Sequence, residues 1–258
     1  MNPVSIVQTR SLGLRAGTRT LIAGLDLAIE PGQLWCLLGP NGSGKTSLLH
    51  ALAGLRAPDA GTITLQQRPL SQWTAADAAH VRGLFPQAVH DAFSASALDV
   101  TLMGRYPHLQ GFAWESDADR QLALDALRAV EMKELAGRDV TTLSGGERAR
   151  VGIATLLAQD PQLMLLDEPL AHLDLHHQIV VLQHLSGLVR ERAKAVMLAL
   201  HDLNLASRFA THVLLLGPAG QAYHGSADTV LTQARLSAAF GHAVVELRAG
   251  ARQVFVAG

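Results

Sequence analysis

Apolar and polar positions alternate early in the chain and later fall at helical spacing. In Leu25-Asp26-Leu27-Ala28-Ile29-Glu30 every second residue is apolar, the pattern of a strand with one buried face. Residues from about 4 to 38 read as β-rich, with Glu30-Pro31-Gly32 as a turn. Gln33-Leu34-Trp35-Cys36-Leu37-Leu38 is a short apolar run and reads as a buried strand. Behind it Leu48, Leu49, Leu52 and Leu55 recur at helical spacing. Ala57-Pro58-Asp59-Ala60-Gly61 breaks the chain, and Thr62-Ile63-Thr64-Leu65 is a strand that returns to the antiparallel part.

The next stretch predicts a short helix near 71–83 and a strand at Gly83-Leu84-Phe85-Pro86-Gln87 that ends in a loop. From about 94 to 142 alanines and the spaced Leu122, Leu124, Leu127 and Val130 predict helices, with Gly104 to Glu115 as a loop between them. From 143 strands and helices alternate: helix 147–159, strand 162–166, helix 176–192, strand 195–200, helix 203–210 and strand Val213-Leu214-Leu215-Leu216. That alternation implies an α/β fold, a mostly parallel sheet flanked by helices. At the end, Val244-Val245-Glu246-Leu247 and Gln253-Val254-Phe255-Val256 form a hairpin across Arg248 to Arg252. The expected organisation is one domain over 1–258. Its core comprises 1–93 and 143–241 with an N-terminal antiparallel β subdomain, 94–142 is an inserted helical subdomain, and 242–258 is a β tail.

Composition narrows the classes of partner. The chain has 258 residues, with 21 Lys plus Arg against 22 Asp plus Glu. No overall basic field exists to hold nucleic acid or an anionic membrane. Hydrophobic residues make up 48%, yet no apolar run reaches the length of a spanning helix. Met1-Asn2-Pro3 leads into a strand-like segment without the basic start and apolar stretch of a secretory leader. The single cysteine, Cys36, falls in a core strand, so no disulfide framework is expected. These features point to the cytoplasm.

The chemistry begins at Gly39-Pro40-Asn41-Gly42-Ser43-Gly44-Lys45-Thr46, which fits the G-x-x-x-x-G-K-[ST] phosphate-binding pattern between a strand and a helix. Glycines let successive backbone N–H groups approach phosphate oxygens, and the helix running through Ser47 aims its positive end at the same place. Lys45 brings a full charge to the β and γ phosphates, and Thr46 offers a hydroxyl to magnesium. Downstream, the apolar run Leu163-Met164-Leu165-Leu166 ends in Asp167-Glu168. Beside the phosphate loop, Asp167 would hold the magnesium shell and Glu168 would polarise an attacking water as general base.

Thr142-Leu143-Ser144-Gly145-Gly146-Glu147 carries a capping box, Ser144 with Glu147, and two glycines that expose a helix N-terminus to an anion. The segment closely resembles the LSGGQ signature of ATP-binding cassette (ABC) ATPases, with Glu147 in place of the usual glutamine. The resemblance covers about residues 5 to 240 and implies the P-loop ABC ATPase fold. It implies that Gln87 is the Q-loop glutamine, in contact with magnesium and water. Ala171-His172-Leu173-Asp174 resembles the D-loop, and His201 the histidine that touches the γ-phosphate. The family's adenine-stacking aromatic is missing from Leu14-Arg15-Ala16-Gly17. Arg15 is the expected substitute through its guanidinium plane, with weak adenine discrimination as the consequence. His172, His176 and His177 are spaced like a metal cluster, but no carboxylate or thiol set in the sequence completes it, and they read as structural.

The resemblance further implies ATP and Mg2+ as cofactors and a head-to-tail homodimer, in which each ATP on one P-loop receives Ser144, Gly145 and Gly146 from the other copy. With no spanning segment, two separate integral-membrane permease subunits and a substrate-binding protein are implied, the ATPase sitting on the cytoplasmic face of the bacterial inner membrane. Leu102-Met103-Gly104-Arg105-Tyr106-Pro107-His108, His201-Asp202-Leu203-Asn204-Leu205-Ala206, and the pair Val230-Leu231-Thr232 with Ala239-Phe240-Gly241 resemble ATPases of importers for iron–siderophore complexes, haem or cobalamin. On that resemblance cobalamin and ferric siderophore come first and haem third. The competing reading is a soluble ABC ATPase of complex assembly or repair. Repair types carry long coiled coils between P-loop and signature, and ribosome types fuse two cassettes; neither feature is present here. A P-loop kinase has no place for the signature or His201.

Overall fold

The computed structural model describes residues 5–87, 94–109, 115–249 and 252–258. Strands β1 (Val7–Ala16) and β2 (Arg19–Ile29) form an antiparallel pair, and β3 (Leu34–Leu38) leads through the glycine loop into α1 (Lys45–Leu52). β4 (Ala60–Leu65) returns to pair antiparallel with β1, and the short β5 (Arg68–Pro69) extends that sheet, in the order β2-β1-β4-β5. Next come α2 (Ala75–Val81), β6 (Arg82–Phe85), α3 (Ala97–Leu102), α4 (Asp117–Ala129) and α5 (Gly145–Gln159). β7 (Leu163–Leu166), α6 (Leu175–Arg192), β8 (Ala195–Ala199), α7 (Leu203–Phe209) and β9 (His212–Leu216) alternate thereafter. The chain ends with β10 (Ala222–Ser226), α8 (Ala227–Val230), α9 (Gln233–Phe240), and the hairpin of β11 (Val244–Ala249) and β12 (Arg252–Ala257).

The second sheet runs β10-β9-β3-β8-β7-β6, parallel except for β10 at its edge. All residues of β3, β7 and β8 are buried, as expected of central strands covered on both faces. In β2 the alternation holds: Leu25, Leu27 and Ile29 are buried while Asp26 and Ala28 face water. One apolar cluster joins β1, β2 and α1 to one face of the large sheet, and the other joins α3, α4, α5 and α6 to the opposite face.

Several expectations need correction. α1 stops at Leu52, and Leu55, expected on its buried stripe, is 66% exposed. Leu122 is likewise 47% exposed, because α4 turns Ala123, Ala126 and Leu127 inward. The loop expected from Gly104 is a 3-10 turn over Met103–His108, while 110–114 lie outside the described residues. Arg105 explains the order there: its guanidinium donates to Asp119 Oδ1 at 2.9 Å and to the Ala158 carbonyl at 2.7 Å, tying the turn to α4 and α5. β10, α8 and α9 were not expected. The hairpin tip at 250–251 and the Met1–Asn2–Pro3 start lie outside the described residues.

Candidate nucleotide site

The loops that carry the chemistry leave the C-terminal ends of the parallel strands, where open α/β sheets bind ligands. The phosphate loop follows β3, Gln87 follows β6, Asp167 and Glu168 follow β7, and His201 follows β8. In-register pairing brings them together: β3 pairs with β8, β8 with β7, and β7 with β6. The Asp167 N–H donates to the Phe85 carbonyl at 2.9 Å, extending the β6–β7 pairing to the motif itself.

A cavity of about 760 Å³ opens there, lined by Asn41, Gly42, Gly44, Lys45, Thr46, Ser47, Gln87, Glu168, His201, Ala16, Arg19 and Leu21. Gly44 takes a left-handed conformation, φ 106°, and no side chain caps α1. The first-turn N–H groups therefore point at the cavity without a side-chain acceptor. Gly39 is required by close approach: a Cβ there would sit 2.7 Å from the Leu216 carbonyl and 2.8 Å from the buried Ser43 hydroxyl. The Ser43 N–H donates to Pro40 O at 3.2 Å, which closes the loop.

Lys45 is 5% exposed and donates to the carbonyls of Gly39 at 2.9 Å and Pro40 at 3.3 Å. Burial pushes its pKa down, opposed by the charges of Glu168 and Asp167. Asp167 is fully buried, and neither carboxylate oxygen has a well-formed hydrogen bond among the described residues. Burial raises its pKa; the Thr46 hydroxyl at its side opposes the rise, and the Glu168 charge adds to it. A buried carboxylate with no more than the Thr46 hydroxyl at its side is costly, and a cation there would satisfy it.

Glu168 is the hub of the polar groups. Its Oε1 lies 2.8 Å from His201 Nε2, and its Oε2 accepts from Gln87 Nε2 at 3.3 Å. The residue sits at φ 50°, an unusual conformation for a non-glycine residue and one that functional sites tolerate. The three catalytic candidates thus meet on one carboxylate at the mouth of the phosphate loop.

Two groups fall elsewhere. Ser144 caps α5: its hydroxyl accepts from the Glu147 N–H at 3.3 Å, and its N–H donates to Glu147 Oε2 at 2.8 Å, the expected capping box. Those bonds lower the Glu147 pKa. Among the described residues, the cavity wall does not include Ser144, Gly145, Gly146 or Asp174. Asp174 instead caps α6 through the His177 N–H. Arg15 is also off the wall. Its guanidinium donates to the Thr18 carbonyl at 3.2 Å and its N–H to Asp59 Oδ2 at 2.8 Å. Ala16, Arg19 and Leu21 form that end of the cavity, and the Arg19 guanidinium lies 3.6 Å from where a Gly42 Cβ would be. No motif marks Arg19; only the return of β2 toward the phosphate loop brings it there.

A phosphate loop, a buried carboxylate at the end of β7 and a second carboxylate held by glutamine and histidine define a nucleotide-hydrolysing P-loop cassette. A family profile described as ABC transporter matches residues 22–171. A hemin import ATP-binding protein, HmuV, of Burkholderia ambifaria is 41% identical over 256 residues, covering 92% of this chain and 94% of its own. The iron(3+)-hydroxamate import ATP-binding protein FhuC of Bacillus subtilis is 35% identical over 232 residues, covering 90% of this chain and 85% of its own. Among solved structures, an inward-facing ABC transporter assigned to the metal-chelate type superposes with TM-score 0.85 at 31% identity, over 98% of this chain and 97% of that one. The chain belongs to the ABC transporter family, among the ATPases of metal-chelate, haem and siderophore importers, which couple ATP hydrolysis to import.

Proposed function

We propose that this chain hydrolyses ATP to power an importer of haem, with ferric hydroxamate siderophores as the second cargo, through separate membrane subunits. The observation that carries the hydrolytic reading is the convergence of Gln87 and His201 on the Glu168 carboxylate at the phosphate loop. Glu168 takes the proton of the attacking water, Gln87 orients that water, and His201 holds the γ-phosphate. Lys45 exchanges the Gly39 and Pro40 carbonyls for phosphate oxygens. Thr46, Asp167 and Gln87 would hold a magnesium ion, which neutralises phosphate charge when bound; the fit rests on the unpartnered buried oxygens of Asp167.

Ser144, Gly145, Gly146 and Asp174 act on the ATP of a second copy, in a head-to-tail dimer. Their absence from the cavity wall of their own chain supports this reading, as does the likeness to a solved dimeric bacterial ABC cassette (TM-score 0.76, 25% identity, over 86% of this chain and 98% of that one). Among the described residues no helix is long and apolar enough to cross a membrane. The likeness to importer ATPases supports placing the permease contacts on the 94–142 insert and Gln87, at the cytoplasmic face of the inner membrane.

Motif resemblance ranked cobalamin level with siderophore and ahead of haem; the relatives' names, hemin and iron(3+)-hydroxamate import, support the opposite order. The test is co-purification with the membrane subunits encoded beside it, then ATPase assay in liposomes with binding proteins loaded with haem, ferric hydroxamate or cobalamin. Stimulation by the haem-loaded protein supports the reading. Stimulation by cobalamin alone overturns the cargo, and an active ATPase that binds no membrane subunit overturns transport in favour of a soluble role.

A further inference from the structure

The sequence left His176 and His177 without a carboxylate to complete a metal site. The fold supplies one from far along the chain. Glu131 follows α4 in the helical insert, and its Oε2 is hydrogen-bonded to His176 Nε2 at 2.9 Å, a contact whose proton an ion would displace, and lies 3.7 Å from His177 Nε2. The three ligand atoms all fall within 4.8 Å of one another. Ligand atoms of a tetrahedral zinc ion stand about 3.3 Å apart, so small side-chain rotations close the set around one ion.

The surroundings of each ligand are built. Asp174 Oδ1 accepts from His177 twice, from the backbone N–H at 2.9 Å and from Nδ1 at 2.8 Å. A carboxylate only accepts, so Nδ1 carries the proton, which leaves Nε2, on the side of Glu131, as the ring's ligand atom. This carboxylate–histidine pairing orients imidazoles that bind metals. Glu131 is fixed from behind: it sits at φ 57°, and the largely buried Arg150 of α5 donates to the carbonyls of Val130 and Glu131, both at 3.1 Å. His176 is two-thirds exposed, which leaves solvent a way in for the ion and for remaining water ligands.

We propose that Glu131 Oε2, His176 Nε2 and His177 Nε2 form a binding site for a first-row divalent transition metal, zinc or a close analogue. Imidazole nitrogens with one carboxylate suit such ions and disfavour magnesium or calcium. The ion would join the end of α4 to the first turn of α6, next to Asp174. This site is separate from the chain's own nucleotide cavity; Asp174, which orients His177, is the one residue it shares with the proposed contact to a second copy's ATP.

The test uses the full chain, stripped by a chelator and titrated with Zn2+ against a chromophoric competitor, and separately with Co2+ while its visible absorption is followed. One equivalent should bind, with a cobalt spectrum of low-coordinate intensity. Glu131→Gln, His176→Ala and His177→Ala should each weaken that equivalent by more than about tenfold. His224→Ala, in β10, should leave it unchanged. All four side chains are at least partly exposed, and unaltered ATP binding would verify that each variant is folded. Absence of a stoichiometric equivalent, or equal weakening by His224→Ala, would overturn the site.

Discussion

Two helices of this molecule, α1 and α5, start at glycine-containing motifs, and their N-termini are built differently. α1 begins behind a left-handed glycine with no side-chain cap, inside a cavity that also holds Lys45, Glu168 and His201. α5 begins behind Ser144, and Glu147 closes over the Ser144 N–H. The first end is built to receive a ligand from solvent. The second is already satisfied by its own side chains, and its two glycines clear a surface for something brought by another molecule. The same dipole thus serves two purposes. Under the proposed function, the uncapped end binds the chain's own nucleotide and the capped end completes a neighbour's.

The largest effect that would break this division comes from Gly146→Ala. A Cβ at Gly146 would stand 2.8 Å from the His172 carbonyl, so the signature or the D-loop must shift. Steady-state ATPase assays should show turnover falling by about a hundredfold, the usual consequence of a displacement near 1 Å. Calorimetry on the same variant should show ATP binding to the single chain nearly unchanged. Equal loss of both would mean that α5 serves its own chain's nucleotide.

Arg105→Ala tests whether the helical insert presents α5 as a rigid unit. The Arg105–Asp119 pair is largely buried, and its loss should destabilise the chain by about 3 kcal/mol, read in denaturant titrations. The Ser116 hydroxyl, followed by Arg105, holds the Asp119 pKa down to about 2. Because the folded value is depressed, this contribution is fully present above the ordinary carboxylate pKa. It is lost as pH falls from about 4 toward 2. The difference between wild type and variant should therefore narrow over that window by the share of the shift that Arg105 supplies, while the share from Ser116 and the bond to the Ala158 carbonyl do not contribute to the narrowing; a constant difference down to pH 2 would contradict the assignment.

At the base end of the cavity the effect should be smaller. Arg19→Ala should weaken ATP binding by about three- to tenfold, and Arg15→Ala by less, in fluorescent-nucleotide titrations. With no aromatic on that wall, GTP should bind nearly as well as ATP. The reverse order of the two arginines would restore Arg15 to the base.

Smallest is Glu147→Gln. The carboxylate favours its own helix N-terminus but adds negative charge where the partner's phosphate is expected. Removing it should tighten the ATP-dependent dimer about two- to fivefold at low salt, in sedimentation experiments, at a small cost in stability. A weaker dimer would mean that the cap, not the charge, governs that end.

The residues of the phosphate end were legible because they are contiguous and each strand–loop junction has its own signature. Continuous apolar runs marked β3, β7 and β8, and Lys45, Thr46, Glu168 and His201 in the loops and helix behind them line one cavity. The Ala16–Leu21 end of the cavity was not legible. Arg15 and Arg19 are separated by a turn, and only the register of β1 against β2 decides which one faces Gly42. Leu55 and Leu122 misled for a related reason: helical spacing says which residues share a stripe but not where the helix stops or which stripe is covered. β10 was missed because Ala222-Tyr223-His224-Gly225-Ser226 has little β character, and edge pairing with β9 makes it a strand. Glu131 lies 45 residues from His176, and nothing short-range announces their contact.

Glu168 as general base and the two-ATP dimer are tested together by the mass of the Glu168→Gln chain in light scattering, with and without ATP and Mg2+. With the general base removed, ATP should bind and stay intact, hydrolysis should fall by about a hundredfold or more, and the chain should shift from monomer to a dimer holding two ATP. A chain that binds ATP yet remains monomeric at high concentration, or that keeps normal turnover, would contradict the account.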